Sequence, residues 1–208
     1  MMSKSQIEYF IHFAGWNDEF IPRDVIAMMN GTFVNERDTV NGYTALHMAV
    51  GRNRCKMVMQ LMAACADANV KNNKGEISVW LGALYSTANI LQLLIDGGGS
   101  VNEADNFGMT PLIALAWYNC GDVAARLQVL LACPDLDFDA ACEGKTAEEW
   151  AVTPVRSAHS ELAVVIARER ARRERWANLR TAWIAAIVDT CSFTYVFITD
   201  HTNRGAFC

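Results

Sequence analysis

The sequence lacks several features that would assign it to a common class of protein. Its 208 residues contain 18 Lys and Arg against 23 Asp and Glu, so a general nucleic-acid-binding role is not expected. The opening residues, MMSKSQIEYF, have neither the apolar run nor the small-residue cleavage site of a secretory signal. We therefore expect a cytoplasmic protein, with a nuclear location as the alternative. Disorder is excluded because 52% of the residues are apolar and only 20% are charged.

Cysteine and histidine are not spaced as metal ligands. The seven cysteines are an odd number, no two of them form CxxC, and the four histidines lie far apart at positions 12, 47, 159 and 201. Metal ligands usually cluster in sequence, whereas a free cysteine behaves as a small hydrophobic residue. We expect reduced, partly buried thiols and no metal or other cofactor.

Arrangements typical of catalysis are also missing from the sequence. Gly144-Lys145-Thr146 does not complete a phosphate loop, because Asp139 stands where its first glycine is required. Glu148 and Glu149 are adjacent on a predicted helix, so their side chains point about 100° apart and do not face one site. No enzymatic activity is predicted.

What the sequence does contain is a repeat. The tip glycines Gly42, Gly75, Gly108 and Gly144 recur at spacings of 33, 33 and 36 residues. A threonine follows two residues after three of them, and an asparagine precedes three of them by six or seven residues. Glycine suits a turn with positive φ, and threonine suits the start of a helix. Apolar residues at helical spacing follow, which predicts a short amphipathic helix in each unit.

The strings GYTALHMAV and GMTPLIALA resemble the ankyrin repeat, whose pattern is close to DxxGxTPLHxAA with a period of 33 residues. The resemblance covers about residues 6–170. It is weakest in the third unit, where positions 77–80 read Ile-Ser-Val-Trp, and in the fifth, which has Glu148 and Glu149 where Leu and His are usual. It implies an all-α solenoid of about five helix-pair units with a C-terminal helical extension. Each unit is too small to bury its own apolar face, so neighbouring units must stack.

The expected organisation has three parts. Residues 1–35 form a degenerate N-terminal capping unit, residues 36–170 form the repeats, and residues 171–208 form a C-terminal helix and tail. Helices are predicted at 6–14 and 22–29 in the first unit, with a stop at 30–31; loops are predicted at 119–121 and 133–135, and an interruption at 153–154.

The resemblance also implies a binding surface, because ankyrin-like proteins contact partners through hairpin tips and the inner-helix face. By position, the partner-binding residues are Asn41, Tyr43, Lys74, Glu76, Tyr85, Phe107, Met109, Trp117 and Tyr118. The aromatic residues and Met109 would form one contact strip, since aromatic anchors are frequent hot spots. In the alternative interpretation, some of them pack against neighbouring units or a covering tail. His47, at the family's Leu-His position, is expected to hydrogen-bond within and between loops.

The predicted function is therefore that of a protein-interaction adaptor or scaffold, with another protein as its partner. A regulatory subunit of an enzyme complex is one alternative. A membrane-associated or tail-anchored protein is another, because residues 181–198 are mostly apolar. A spanning helix needs about 20 such residues, however, and Asp189 within the segment costs about 2.5–3.5 kcal/mol on insertion.

The C-terminal segment departs from the repeat. Residues 168–180 hold six Arg and two Glu, which we interpret as a solvated helix face, with an acidic partner or a membrane or RNA contact as alternatives. A stripe of Trp176, Leu179, Trp183 and Ile187 is expected to pack on the last unit as a cap, on a helix that ends near Asp189. Alternating residues at 193–198 indicate a strand, and the tail 190–208 is expected to add little stability.

Overall fold

The computed structural model of the protein describes residues 4–16, 33–118, 122–152 and 160–202. The segments predicted at 22–31, 119–121 and 153–154 lie outside these residues. The helices are α1 (Lys4–Trp16), α2 (Ala45–Gly51), α3 (Cys55–Ala63), α4 (Ser78–Tyr85), α5 (Ala88–Asp96), α6 (Pro111–Tyr118), α7 (Val123–Ala132), α8 (Ala147–Val152) and α9 (Ser160–Thr202). Two short antiparallel strands, β1 (Ala141–Cys142) and β2 (Lys145–Thr146), pair in the register Ala141–Thr146 and Cys142–Lys145.

The stacked helix pairs confirm the predicted all-α solenoid. The inner helices contact one another in the order α1, α2, α4, α6 and α8, and the outer helices α3, α5 and α7 form a second row. Within each middle unit the inner helix packs on its own outer helix, as α2 does on α3 and α4 on α5. Stacking is required because helices of seven to ten residues cannot bury their apolar faces alone.

The burial pattern confirms the helical register read from the sequence. Leu46 and its counterpart Leu112, one residue past the start of α2 and α6, are fully buried between units. The outer helices bury Val58, Leu61, Ile90, Leu91 and Leu94. The core therefore runs as one continuous cluster along the stack.

Polar side chains start the inner helices where the repeat predicts them. The backbone N–H of His47 donates to Thr44 Oγ1 at 3.3 Å, and the N–H of Thr44 donates to His47 Nδ1 at 3.1 Å, a reciprocal capping box. In the fifth unit the N–H of Thr146 donates to Glu149 Oε2 at 2.8 Å. The third unit has no side-chain cap, because Ile77 occupies the threonine position.

The chain contains two compact units, residues 1–166 and 167–208. The first holds the stacked helix pairs, and the second holds most of α9. Because α9 continues to Thr202, the strand predicted at 193–198 is wrong, and so is the helix end at Asp189. Alternation is a weak local signal, and extending an existing helix costs little once its first turn has formed.

Three residues of the stripe predicted to pack on the last unit lie in the second of these compact units. Trp176 and Trp183 are 67% and 69% exposed, and Leu179 is exposed as well. The side chain of Ile187 lies outside the described residues. Among the helices that the structure describes, none is long and apolar enough to cross a membrane.

Candidate protein-binding surface

The second, third and fourth hairpin tips are each organised by one Asx side chain. Asp38 Oδ1 accepts hydrogen bonds from the backbone N–H groups of residues 40–42 at 2.6–2.9 Å. Asn72 and Asp105 do the same in the next two units, each accepting from two backbone N–H groups. These turns lead into the tip glycine, where the chain reverses with a φ of 71° at Gly42.

The tips are joined to one another along the stack. The N–H of Asn73 donates to the carbonyl of Asn41, and the N–H of Asn106 donates to the carbonyl of Lys74, both at 2.9 Å. The side-chain amide of Asn106 also donates to the carbonyl of Asn73 at 3.1 Å. This ladder holds the second, third and fourth tips in one row and presents Phe107 at the fourth.

A cavity of about 510 Å³ opens where the second and third units meet. Its lining includes the apolar side chains of Met48 and Leu81 and the side chains of Tyr43, Tyr85 and Arg52. The lining is completed by His12, Asn41, His47 and Gly51. Such a cavity can hold an apolar or aromatic side chain beside two phenol rings and a guanidinium group.

Aromatic contacts continue the surface through the fourth and fifth units. The rings of Trp80 and Tyr118 meet edge to face with centroids 6.5 Å apart. Trp117 and Trp150 do the same at 4.5 Å. The ammonium of Lys145 lies 4.7 Å from the centre of the Trp150 ring. Edge-to-face and cation–π contacts hold these side chains in fixed orientations, so they form a preorganised surface.

Two different residues make the same bond between units. His47 Nε2 lies 3.2 Å from the carbonyl of Glu76, and Trp80 Nε1 donates to the carbonyl of Met109 at 2.9 Å. His47 and Trp80 each stand five residues after a tip glycine, and each acceptor lies 29 residues further on. The Trp that replaces the family's histidine in the third unit therefore keeps its link to the following tip.

Burial fixes the protonation state of this histidine. The loss of solvent around His47, opposed in part by its bond to Glu76, lowers its pKa from 6.5 to about 4. The neutral ring accepts from the N–H of Thr44 through Nδ1, so Nε2 carries the proton and donates to Glu76. Burial, followed by the negative charges of Glu76 and Asp38, raises the pKa of Tyr43, which keeps its hydroxyl available as a donor.

Comparisons with known proteins agree with this geometry. The sequence profile of the ankyrin repeat family matches residues 41–73. Residues 41–73 are thus an ankyrin repeat. Human ankyrin repeat and SOCS box protein 6 is 38% identical over 90 residues, which cover 42% of this chain and 21% of that protein. A putative ankyrin repeat protein of fowlpox virus is 28% identical over 127 residues, covering 58% of this chain and 36% of the viral protein.

A third relative, neurogenic locus notch homolog protein 1 of Danio rerio, is 29% identical over 131 residues, which cover 62% of this chain but 5% of that protein. The chain thus spans about a fifth of the human relative and about a third of the viral one. Ankyrin repeats are generally protein-interaction modules.

The ankyrin surface brings together several of the residues chosen from the sequence. Asn41, Tyr43 and Tyr85 line the same cavity. Lys74 and Phe107 are exposed at neighbouring tips, and the Phe107 side chain is 75% exposed.

Other chosen residues are held differently. Met109 and Tyr118 are partly buried and pack against the core, and Trp117 is partly covered through its contact with Trp150. Glu76 was expected to be exposed but is only 7% exposed. Its carboxylate accepts from the side-chain amide of Asn72 at 2.7 Å, so it closes the third tip instead of facing a partner.

Sequence reasoning missed Met48, Leu81 and Trp150, and it placed Arg52 at an exposed position without choosing it as a binding residue. Met48, Leu81 and Trp150 each stand six residues after a tip glycine, and Arg52 stands ten residues after Gly42, so their positions in the repeat could have identified them. Tyr85 and Tyr118 also stand at the tenth position. Among the residues that the structure describes, no group of three or more His, Cys, Asp or Glu side chains is placed to hold a metal ion.

Proposed function

We propose that the chain is a protein-binding module without catalysis of its own, which holds its partner on the face formed by the hairpin tips and inner helices. The cavity between Tyr43 and Tyr85 carries this proposal. The lining of this cavity combines the apolar side chains of Met48 and Leu81 with two phenol rings and the guanidinium of Arg52. Tyr and Arg are enriched among the residues that dominate binding energy at protein interfaces.

The dimensions of the surface favour a macromolecular partner. The 510 Å³ cavity accommodates an anchoring side chain, and the aromatic contacts around Trp117 and Trp150 extend the surface by two further units. A partner segment that lies along the inner helices would place one anchor in the cavity and pass the exposed ring of Phe107.

A matched pair of variants tests this function. Tyr85 lies at the cavity and Met59 on the outer helix α3, and both side chains are 54% exposed. Partners captured by the wild-type chain are identified by quantitative mass spectrometry, and their affinities are then measured with purified components. We expect Tyr85→Ala to weaken the specific partner by about tenfold or more, equivalent to about 1.4 kcal/mol, and Met59→Ala to leave it unchanged.

Helical circular dichroism spectra of both variants serve as the folding control. If Tyr85→Ala is folded and binds the partner as tightly as the wild type, this face is not the binding surface. Equal losses in the two variants would also contradict the assignment, because the outer helix would then contribute as much as the cavity.

A further inference from the structure

The charged residues are unevenly distributed along the chain. Residues 1–95 contain eight basic and eight acidic residues, whereas residues 96–149 contain ten acidic residues and two basic ones. One of those two, Arg126, is buried and donates to the backbone carbonyls of Ala83 and Leu84. Residues 168–180 carry the opposite charge, with six Arg and two Glu. The chain therefore contains a strongly acidic region and a compact basic one.

Three of the six arginines at 168–180 share a face of α9 with exposed apolar residues. Five side chains that follow one another at spacings of four, three, four and four residues lie on a single side of the helix. That set, here called the basic–aromatic face, comprises Arg168, Arg172, Arg175, Leu179 and Trp183, all of them exposed. Trp176 adjoins it. Exposed aromatic rings beside arginines are the composition of an interface core, since Trp and Arg are the residues most enriched in hot spots.

The acidic region also carries exposed carboxylates that are close in sequence and an exposed aromatic ring. These residues, here called the acidic patch, are Asp135, Asp137, Asp139, Glu143 and Phe107. The thiol of Cys142 donates to the carbonyl of Phe107 at 3.2 Å, which brings the fourth tip beside the hairpin that carries Glu143. The charge of the patch is opposite to that of the basic–aromatic face, and both contain an exposed aromatic ring.

We propose that the basic–aromatic face of one copy binds the acidic patch of a second copy, so that the chain forms a twofold dimer. Each copy carries both surfaces, so a twofold axis makes the contact twice and closes the assembly. An anionic bilayer would attract the helix but repel residues 96–149, whereas a second copy satisfies both charges. The tryptophans supply the apolar area, because exposed ion pairs alone contribute little.

Charge reversal on each surface tests the dimer. The helix variant is Arg168→Glu with Arg175→Glu, and the patch variant is Asp139→Lys with Glu143→Lys. The mass of the full chain is measured by sedimentation over a range of concentrations at low salt. We expect a wild-type dimer whose dissociation constant rises at least about tenfold in either variant. The wild-type dissociation constant should also rise when salt is increased from about 0.1 M to about 1 M, because the Debye screening length falls from about 10 Å to about 3 Å.

Mixing the two variants gives the decisive measurement. In a mixed pair, the reversed helix of one copy meets the reversed patch of the other, and the second contact is the native one. We therefore expect an equimolar mixture to recover dimers that neither variant forms alone. The control, Lys56→Glu with Arg170→Glu, changes the net charge as much as the helix variant does but leaves both surfaces intact. It should remain dimeric.

Several results would overturn the proposal. One is a monomeric wild type throughout the concentration range, including the case in which it binds vesicles containing about one-third phosphatidylserine and the helix variant does not. That outcome would assign the helix to a membrane surface. A dimer that persists in both variants, or a mixture that stays monomeric while each variant keeps the wild-type helical spectrum, would equally refute it.

Discussion

The second and third units reach the same architecture with different chemistry. In the second, Thr44 and His47 form a capping box, and the histidine continues to the carbonyl of Glu76. In the third, no side chain caps α4, and the buried ring of Trp80 makes the equivalent bond to Met109. A polar pair that depends on a neutral ring is thus replaced by a large apolar residue with one donor. What the units preserve is the bond to the next tip.

The largest effect should come from removing the indole. We expect Trp80→Ala to lower the free energy of unfolding by about 3–5 kcal/mol, because it removes a buried aromatic side chain and leaves a cavity. Chemical denaturation followed by circular dichroism measures the change. Tyr85→Ala on the same helix is the control and should cost less than about 1 kcal/mol, since that ring is largely exposed. A loss as small as that for Trp80→Ala would show that the third unit does not depend on its ring.

The second unit should be the one that responds to acid. The pKa of His47 is about 4 in the folded chain and about 6.5 when unfolded, so the unfolded chain binds the proton more tightly. The stability contributed by the neutral ring is complete above pH 6.5 and is lost as the pH falls to about 4. The loss should reach about 3 kcal/mol, at about 1.4 kcal/mol for each pKa unit.

Carboxylates titrate in the lower part of this range, so the comparison between variants is what matters. His47→Gln should flatten the pH dependence between 6.5 and 4, whereas Trp80→Phe should retain it, because neither Trp nor Phe titrates. Unfolding curves at half-unit steps of pH give both profiles. Parallel profiles for the wild type and His47→Gln would mean that the ring does not stay neutral in the folded protein.

How much of this was visible in the sequence depends on the kind of signal. The period of the tip glycines and the burial of Leu112 could be predicted, because turn geometry and helical spacing are properties of single units. The role of Trp80 could not be predicted. In the sequence, this residue only departs from the repeat pattern, and its role depends on its hydrogen bond to the carbonyl of Met109. Glu76 was misjudged for a related reason: its position suggests exposure, but its carboxylate pairs with Asn72 inside the tip.

The C-terminal segment shows the opposite limit. Its stripe of large apolar residues predicted a covered helix, yet Trp176 and Trp183 are exposed. A stripe of apolar residues predicts that a helix face is buried, but it does not specify which surface buries that face. Candidate residues such as Tyr43 and Tyr85 could be chosen by position, whereas the cavity that they line also contains Met48 and Leu81 from two different units.

A smaller change separates the indole's bond from its volume. Trp80→Phe keeps most of the apolar contact but removes Nε1, which leaves the carbonyl of Met109 without that donor. The same carbonyl still accepts from the backbone N–H of Asp105 at 3.1 Å, so we expect the free energy of unfolding to fall by about 0.5–1.5 kcal/mol, the usual net contribution of one hydrogen bond. A change near zero would show that packing alone joins the third unit to the fourth. Denaturation at neutral pH, where His47 is unchanged, gives the value.

The smallest expected effect is the difference in stability loss between alanine substitutions at two tip glycines. Gly75 and Gly108 have nearly the same φ, 80° and 83°, so replacing either with alanine places a side chain in a left-handed conformation at a cost of about 1–2 kcal/mol. A Cβ on Gly108 would meet no atom within 4 Å, whereas one on Gly75 would collide with the backbone and side chain of Asn106. Gly75→Ala should therefore cost about 1 kcal/mol more than Gly108→Ala, because it also disturbs the ladder between the tips. Denaturation of the two variants under identical conditions gives the difference. Equal losses would mean that the hydrogen bonds between the tips adjust to the added side chain without a loss of stability.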